Sequence, residues 1–529
     1  MNIQVLIDLN RDELFSHPLS DVTARVRDSW AFTSGWTNVG QVESNVAAHV
    51  APVNQMQLVL DNKDGQLAFE NTTAQFYNLI HSGIMVRITV SDNGLSYNFT
   101  YFAKSIKEAL GEFGQQVVVI SCVCAMPRVQ RLNYEPDVAE SVTADVALTT
   151  MMGTGHLVLP YTSGFFFIDG HDIDSTVNIF DPSTDVSGLI DFETGYSTLA
   201  YVGDVLHEDR KGLSVQKAQL FIAGMCMAEA FGRFFYQPRD VKFHFHNRYH
   251  DRLQTVALSL SGGDYVSAPP VSTPVYNEAR LHYSPRSIGD SDALLFSSDG
   301  VPITIANGRK KELGIRYTDP DNPATKITAL TVVEPLVTTD ILVEDANSVN
   351  ITTQVYKSAD LNASGGTLFF NNSTGGNVTI ERAKVRGVPI TTYQPEIATA
   401  QNGTSMITYN WLPLPDLRGD YITDGDFAQS VVDFLVLRHK TMRRVIESVT
   451  VIVTDDNFID VMGITIGDVI NIEDSWSVHN TEYVVLGEFH QYDIAYDRYS
   501  ITWYLRSNDT TPYVIIDSSS IDSEDIIGY

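Results

Sequence analysis

Three histidines lie close together in KFHFHNRYH: His244, His246 and His250. His244 and His246 alternate with Phe243 and Phe245, so on a strand both imidazoles share one face. With His250 they supply the donor type of a zinc site. A three-histidine centre that does chemistry also needs an open position and a general base beside it. The preferred reading is therefore a strand with its aromatic residues inward and its histidines outward. Asp169, Asp172 and Asp174 in IDGHDIDS, and Asp319 and Asp321 in TDPDNP, are the residue type of loop calcium ligands. Neither run has the D-x-[DN]-x-[DN]-G-x₅-E spacing that wraps a single ion, so solvated turns are expected. Cys122 and Cys124 lie two apart in VVVISCVCAM and face one side of a strand; with Cys226 they are expected to be small buried hydrophobes. No second cysteine or histidine pair completes a metal site around them.

Other catalytic signatures are missing. The sequence has no G-x-S-x-G elbow, no H-E-x-x-H and no P-loop. Carboxylates could pair in three dimensions, but with 65 acidic residues nothing in the sequence selects one pair. No catalytic, cofactor-binding or metal-binding residue is assigned, no cofactor is expected, and the chain is not expected to be an enzyme. The N-x-[ST] triplets at Asn71, Asn98 and Asn372 are read as chance occurrences in a chain rich in Thr and Asn.

The elements that must carry these residues are mostly strands. QMQLVLDN, IMVRITVS, SYNFTYFA and QQVVVISCVC are rich in Val, Ile, Phe and Tyr, are broken by Asp-Gly and Asn-Gly, and all fall within the first 126 residues. That spacing predicts an antiparallel barrel or sandwich. Two stretches read as helices. Ser214 to Gly232 places Val215, Ala218, Phe221, Ile222, Met225 and Ala228 on one face, with Ser214 as N-cap, Gly232 as stop, and the Met and Phe stripe as core. Asp426 to Lys440 places Phe427, Val431, Leu435 and Val436 similarly, behind an Asp424 or Asp426 cap, and ends in Arg438, His439 and Lys440. From Gly262 to about Ala400 the composition shifts to Thr, Asn, Ser, Gly and Pro, as in an inserted small β-domain. VIESVTVIVT, GDVINIED, EYVVLGEFHQY and YSITWYLR then return to long strands.

With 529 residues, 43% hydrophobic and 19% charged, the chain is long enough for several domains with real cores. Its 35 basic against 65 acidic residues leave a net charge of −30, which repels nucleic-acid phosphates and disfavours anionic membranes. DNA binding is argued against; DNA conduction is not. No secretory signal and no transmembrane stretch are expected.

Three separated segments resemble the tail-hub and minor-tail proteins of long-tailed bacteriophages. The first is MQLVLDNKDGQLAFEN followed by FYNLIHSGIMVRITV, where Asn62 and Asp64-Gly65 form a tight turn and Gly83 opens the next core strand. The second is the helix Ser214 to Gly232 with RFFYQPRDVKFHFHNRYH after it. The family usually has Asp-Gly in that turn; this chain has Arg239-Asp240, so a different turn type is expected. The third is LRHKTMRRVIESVTV, IGDVINIED, EYVVLGEFHQYD and SITWYLR, in the order of the family's closing β-domain. Between the second and third, GGTLFFNNSTGGNVTIERAKVRGVPI looks like the β-insert of such proteins, with Phe369 and Phe370 read as core.

The resemblance implies a mainly β, multi-domain fold with two tube-like antiparallel β-barrel domains, an inserted β-domain and a few helices. On it, residues 1–130 are an N-terminal tube-like barrel and 131–261 a middle α+β domain with helix 214–232. Residues 262–425 are a β-sandwich-like insert and linker, 426–510 a helix with a C-terminal tube-like barrel, and 511–529 an acidic arm. It further implies a homotrimeric hub at the distal end of the virion tail, made in the bacterial host cytoplasm. Three chains would present six barrels, adapt a sixfold tube to a threefold tip and line the DNA exit channel. Distal tail or tail tube proteins, the tape measure protein and tail-tip fibre or spike proteins are the implied partners, with phage DNA passing without specific binding. A hexameric distal tail ring, a receptor-binding protein and a cell-wall hydrolase are the alternatives.

Overall fold

The computed structural model describes residues 1–508 except 12–13, 38–49, 69–70, 111–114, 131–138, 155–189, 195–198, 202–216, 230–231, 248–249, 299–300, 320–326, 338, 363–364, 420 and 475–478. The chain is mainly β, with a curled half-barrel sheet and few helices. None of the described helices is long and apolar enough to cross a membrane.

The amino-terminal strands are β1 (Asn2–Ile7), β2 (Trp30–Gly35), β3 (Gln55–Asp61), β4 (Met85–Asp92), β5 (Leu95–Leu110) and β6 (Gln116–Val123). Alternation places Met56, Leu58 and Leu60 of β3 inward, each at most 2% exposed. β3 ends in the expected turn. Gly65, at φ 66°, donates its N–H to the Asn62 carbonyl at 2.9 Å, and the Leu67 N–H bonds the Asn62 side-chain oxygen at 2.8 Å. Cys122 and Cys124 are both buried, as their spacing predicts.

The middle section contributes β7 (Ile190–Phe192), helix α1 (Lys217–Ala228), β8 (Arg233–Gln237), β9 (Lys242–His246) and β10 (Val256–Leu260). Ala218, Phe221, Ile222, Met225 and Ala228 of α1 are buried, so its apolar stripe is core. The Gly232 N–H bonds back to the Cys226 carbonyl at 3.0 Å, closing the helix end. Ser214, Val215 and Arg248 lie outside the described residues.

Beyond residue 277 two further cores form. In one, β11 (Glu278–Tyr283), β12 (Glu396–Gln401) and helix α2 (Gly425–His439) pack Leu281, Ala398, Phe427, Val431 and Leu435 together. The Asp424 side chain caps α2, accepting from the Asp426 and Phe427 N–H groups at 2.8 and 3.1 Å. In the other, five shorter strands pair along Val378–Thr392 around Ile341, Val343, Ile380 and Val385. There Phe370 is core but Phe369 is only half-buried, because adjacent strand residues face opposite ways. Both were expected inside.

The carboxy-terminal strands are β13 (Ser448–Val453), β14 (Val469–Asp474), β15 (His479–Asp493) and β16 (Arg498–Ser507). They join the amino-terminal strands in one eleven-stranded sheet, ordered β1-β4-β5-β6-β3-β2-β15-β14-β10, with β16 and β13 continuing from β15. The largest hydrophobic core runs along it, from Val5 and Phe32 through Phe221 and Phe243 to Val449 and Trp503, and a smaller one gathers Trp36, Phe235, Val469, Val484 and Leu486. The arm at 511–529 lies outside the described residues.

Candidate functional site

The two ends of the chain meet where β2 pairs with β15, antiparallel, from Trp30 opposite Tyr492 to Gly35 opposite Gly487. β2 makes little ladder on its other side, only Ala31 and Phe32 with Gln57 and Met56 of β3. Two glycines permit the approach. A Cβ on Gly35 would lie 2.3 Å from the Leu486 carbonyl oxygen, and one on Gly487 would lie 2.1 Å from that of Trp36. With both absent, the Trp36 N–H reaches the Leu486 carbonyl at 3.1 Å.

Side chains fill the seam from both ends. Phe32 of β2 stacks on His490 of β15 at 4.6 Å and meets Phe99 of β5 at 4.8 Å. Trp30 stacks on Phe32 at 5.8 Å. His490 is fully buried between the Glu488 carboxylate, 3.1 Å from Nε2, and the Tyr499 hydroxyl, 2.9 Å from Nδ1. A neutral ring satisfies both if its Nε2–H donates to Glu488 and Nδ1 accepts from Tyr499. Burial pushes the His490 pKa down, which favours that neutral form.

The middle section adds the countercharge. Arg239, on the turn between β8 and β9, places Nη2 3.2 Å from Glu488 Oε1 and also donates to the Met462 carbonyl. Its guanidinium lies 5.1 Å from the Phe99 ring centre and 5.7 Å from that of Tyr97. Burial alone would push the Glu488 carboxyl up; Arg239 and His490 outweigh it and hold it below its ordinary range. One residue of the middle section thus touches strands from both ends. A second tie runs through Asp251, which accepts from Arg233 of β8 and Arg506 of β16.

The three histidines do not converge on one point. Phe243 and Phe245 are inward as expected. His246, expected outward, is buried and stacks on His250 at 3.6 Å, and burial holds its pKa well below the usual histidine value. His246 is covered because Gly467, just before β14, packs against it and His250. His250 bonds Glu193 through Nδ1. His244 instead stacks on Phe235 and lies between Asp240, 2.8 Å from Nε2, and Asp191, 3.5 Å from Nδ1. Asp319 is described but in no helix or regular strand; Asp169, Asp172, Asp174 and Asp321 lie outside the described residues. Asn372, of the chance triplets, is fully buried, its amide donating to the Ile305 and Gly376 carbonyls.

Sequence reasoning missed Arg239, Glu488 and His490. GEFHQY held no clear signal, because Phe489 alternates with Glu488 and His490 and an irregularity between Val485 and Gly487 breaks the alternation. Arg239-Asp240 lies in the turn between β8 and β9, and it is this turn that supplies the arginine.

No protein-family model matches the sequence, and no curated protein matches it. Solved structures similar to the chain include the 43 kDa tail protein of prophage MuSo2 from Shewanella oneidensis, 9% identical at a TM-score of 0.44, matching 96% of this chain and 99% of that one. Another is a tail protein from Neisseria meningitidis MC58, 8% identical at 0.39, covering 96% of each. A third is prophage tail protein gp18 from Listeria monocytogenes EGD-e, 8% identical at 0.37, covering 97% and 95%.

Proposed function

We propose that the chain is a structural hub protein at the distal end of a bacteriophage tail, with no catalytic role. The observation that carries the reading is the β2–β15 seam, which makes strands from both ends one sheet with a shared core. A unit that fuses two sheet-forming ends suits a trimer presenting six such modules, adapting a sixfold tube to a threefold tip. The ordered sequence resemblance to tail hubs points the same way. A net charge of −30 per chain suits a channel through which DNA slides without sticking.

The first test is electron microscopy of virions labelled with an antibody against the chain, with light-scattering mass of the purified protein alongside. A single label at the distal tip and a mass three times the 58.6 kDa chain are expected. Labels along the shaft or at the head-proximal end overturn the reading. A zymogram on host cell wall is expected to show no clearing.

Receptor binding is the second reading, favoured by one observation. Trp411 and Ile407 are 60% and 88% exposed, and Leu412 beside them is also exposed. An exposed aromatic platform of this kind suits a sugar ring. Glycan-array binding that Trp411→Ala abolishes would favour it.

A further inference from the structure

We infer that Asp191, Asp240 and His244 form a binding site for a divalent first-row transition ion. One ligand atom from each residue lies within 4.8 Å of the other two. Three different elements supply them. Asp191 sits on β7 directly opposite His244 on the parallel strand β9, and Asp240 lies on the turn that enters β9. The arrangement is largely held in advance. Phe235 stacks on the His244 ring at 5.2 Å with 14° between planes, and the Lys242 N–H bonds the second oxygen of Asp240 at 3.1 Å.

The donor set is one imidazole flanked by two carboxylates, Asp240 at 2.8 Å from Nε2 and Asp191 at 3.5 Å from Nδ1. An imidazole with two carboxylates selects against magnesium and calcium, which take oxygen ligands, and suits zinc or manganese with water completing the shell. Asp191 is 66% exposed at its side chain, so it can swing the short distance needed to close on an ion. A bound ion would also tether the turn that carries Arg239.

The test is calorimetric titration of the metal-free full chain with Zn²⁺ alone, repeated with Asp191→Asn and His244→Ala. Wild type is expected to bind one equivalent, Asp191→Asn at least tenfold more weakly, and His244→Ala not at this site. Because Asp191 is exposed, its variant should fold, and circular dichroism checks that. The visible spectrum of the Co²⁺-loaded chain gives a second readout and should change in Asp191→Asn. Equal binding by wild type and Asp191→Asn, or no binding by wild type, overturns the assignment. Loss of binding in His250→Gln with none in Asp191→Asn would also overturn it.

Discussion

Gly487→Ala tests the seam between the two ends most directly. In an ordinary strand, replacing glycine by alanine gains roughly 0.5–1 kcal/mol, because the unfolded chain has less freedom to lose. Here the new Cβ would lie 2.1 Å from the Trp36 carbonyl oxygen and 2.7 Å from the Trp36 N and carbonyl carbon. These are backbone atoms, so no side-chain rotation relieves the clash; the strands must separate by more than 1 Å to reach the ~3.4 Å of ordinary contact. Overpacking of this kind costs about 1–3 kcal/mol. The Trp36–Leu486 hydrogen bond is lost with it, at about 1 kcal/mol. After the entropy gain, a net destabilisation of about 1–3.5 kcal/mol is expected. Urea unfolding followed by tryptophan fluorescence reads it, since Trp30 and Trp36 sit in the seam. Gly314→Ala is the control, because its Cβ would meet nothing within 4 Å. If Gly487→Ala unfolds within about 0.5 kcal/mol of the wild type, the close approach is not real and the argument from it fails.

Further predictions rest on the buried charges and the helix cap. Arg239→Ala strands the Glu488 carboxylate in the core and should cost about 3–5 kcal/mol, with Glu488→Gln in the same chain restoring part of it; unfolding free energies of both variants check this. Asp424→Ala removes both cap bonds of α2 and should cost about 1 kcal/mol, seen as a lower unfolding midpoint. Burial, with Arg11 nearby, pushes His81 down to about 4, and burial also lowers His490. Both groups take protons more readily unfolded than folded. Their stabilisation is therefore complete above the ordinary histidine value of 6.5 and is lost as pH falls from there toward 4. Unfolding midpoints at pH 7, 6, 5 and 4 should fall steadily, and His81→Gln should flatten part of the slope; a flat wild-type profile would refute the assignment.

Local rules were legible in the sequence wherever one segment settles its own conformation. The Asn62–Gly65 turn, the Asp424 cap, the buried Cys122 and Cys124 and the stripe of α1 all follow from side-chain type and spacing. What the sequence did not disclose depends on partners hundreds of residues away. GEFHQY reads as part of a strand, but nothing in it names WAFTSG as its partner, since register is fixed by the facing glycines Gly35 and Gly487. His246 was placed outward because alternation distinguishes two faces of a strand but not how many of them are covered. Arg239 looked like a turn substitution because its carboxylate lies on a strand 249 residues further on.

The seam also sets the timing of folding. Ser29 and Asp493, whose side chains meet beside it, are 464 residues apart. At about 5–20 residues per second, a ribosome needs roughly 20–90 s to deliver the second after the first. For that interval β2 has only its two-residue ladder to β3, leaving an exposed edge that invites pairing with other chains. The strands between Ile303 and Thr392 find partners within about 90 residues of one another and can assemble while the sheet waits. Sheet closure should then be the slow step of maturation, and the one most open to rescue by a chaperone that shields β2.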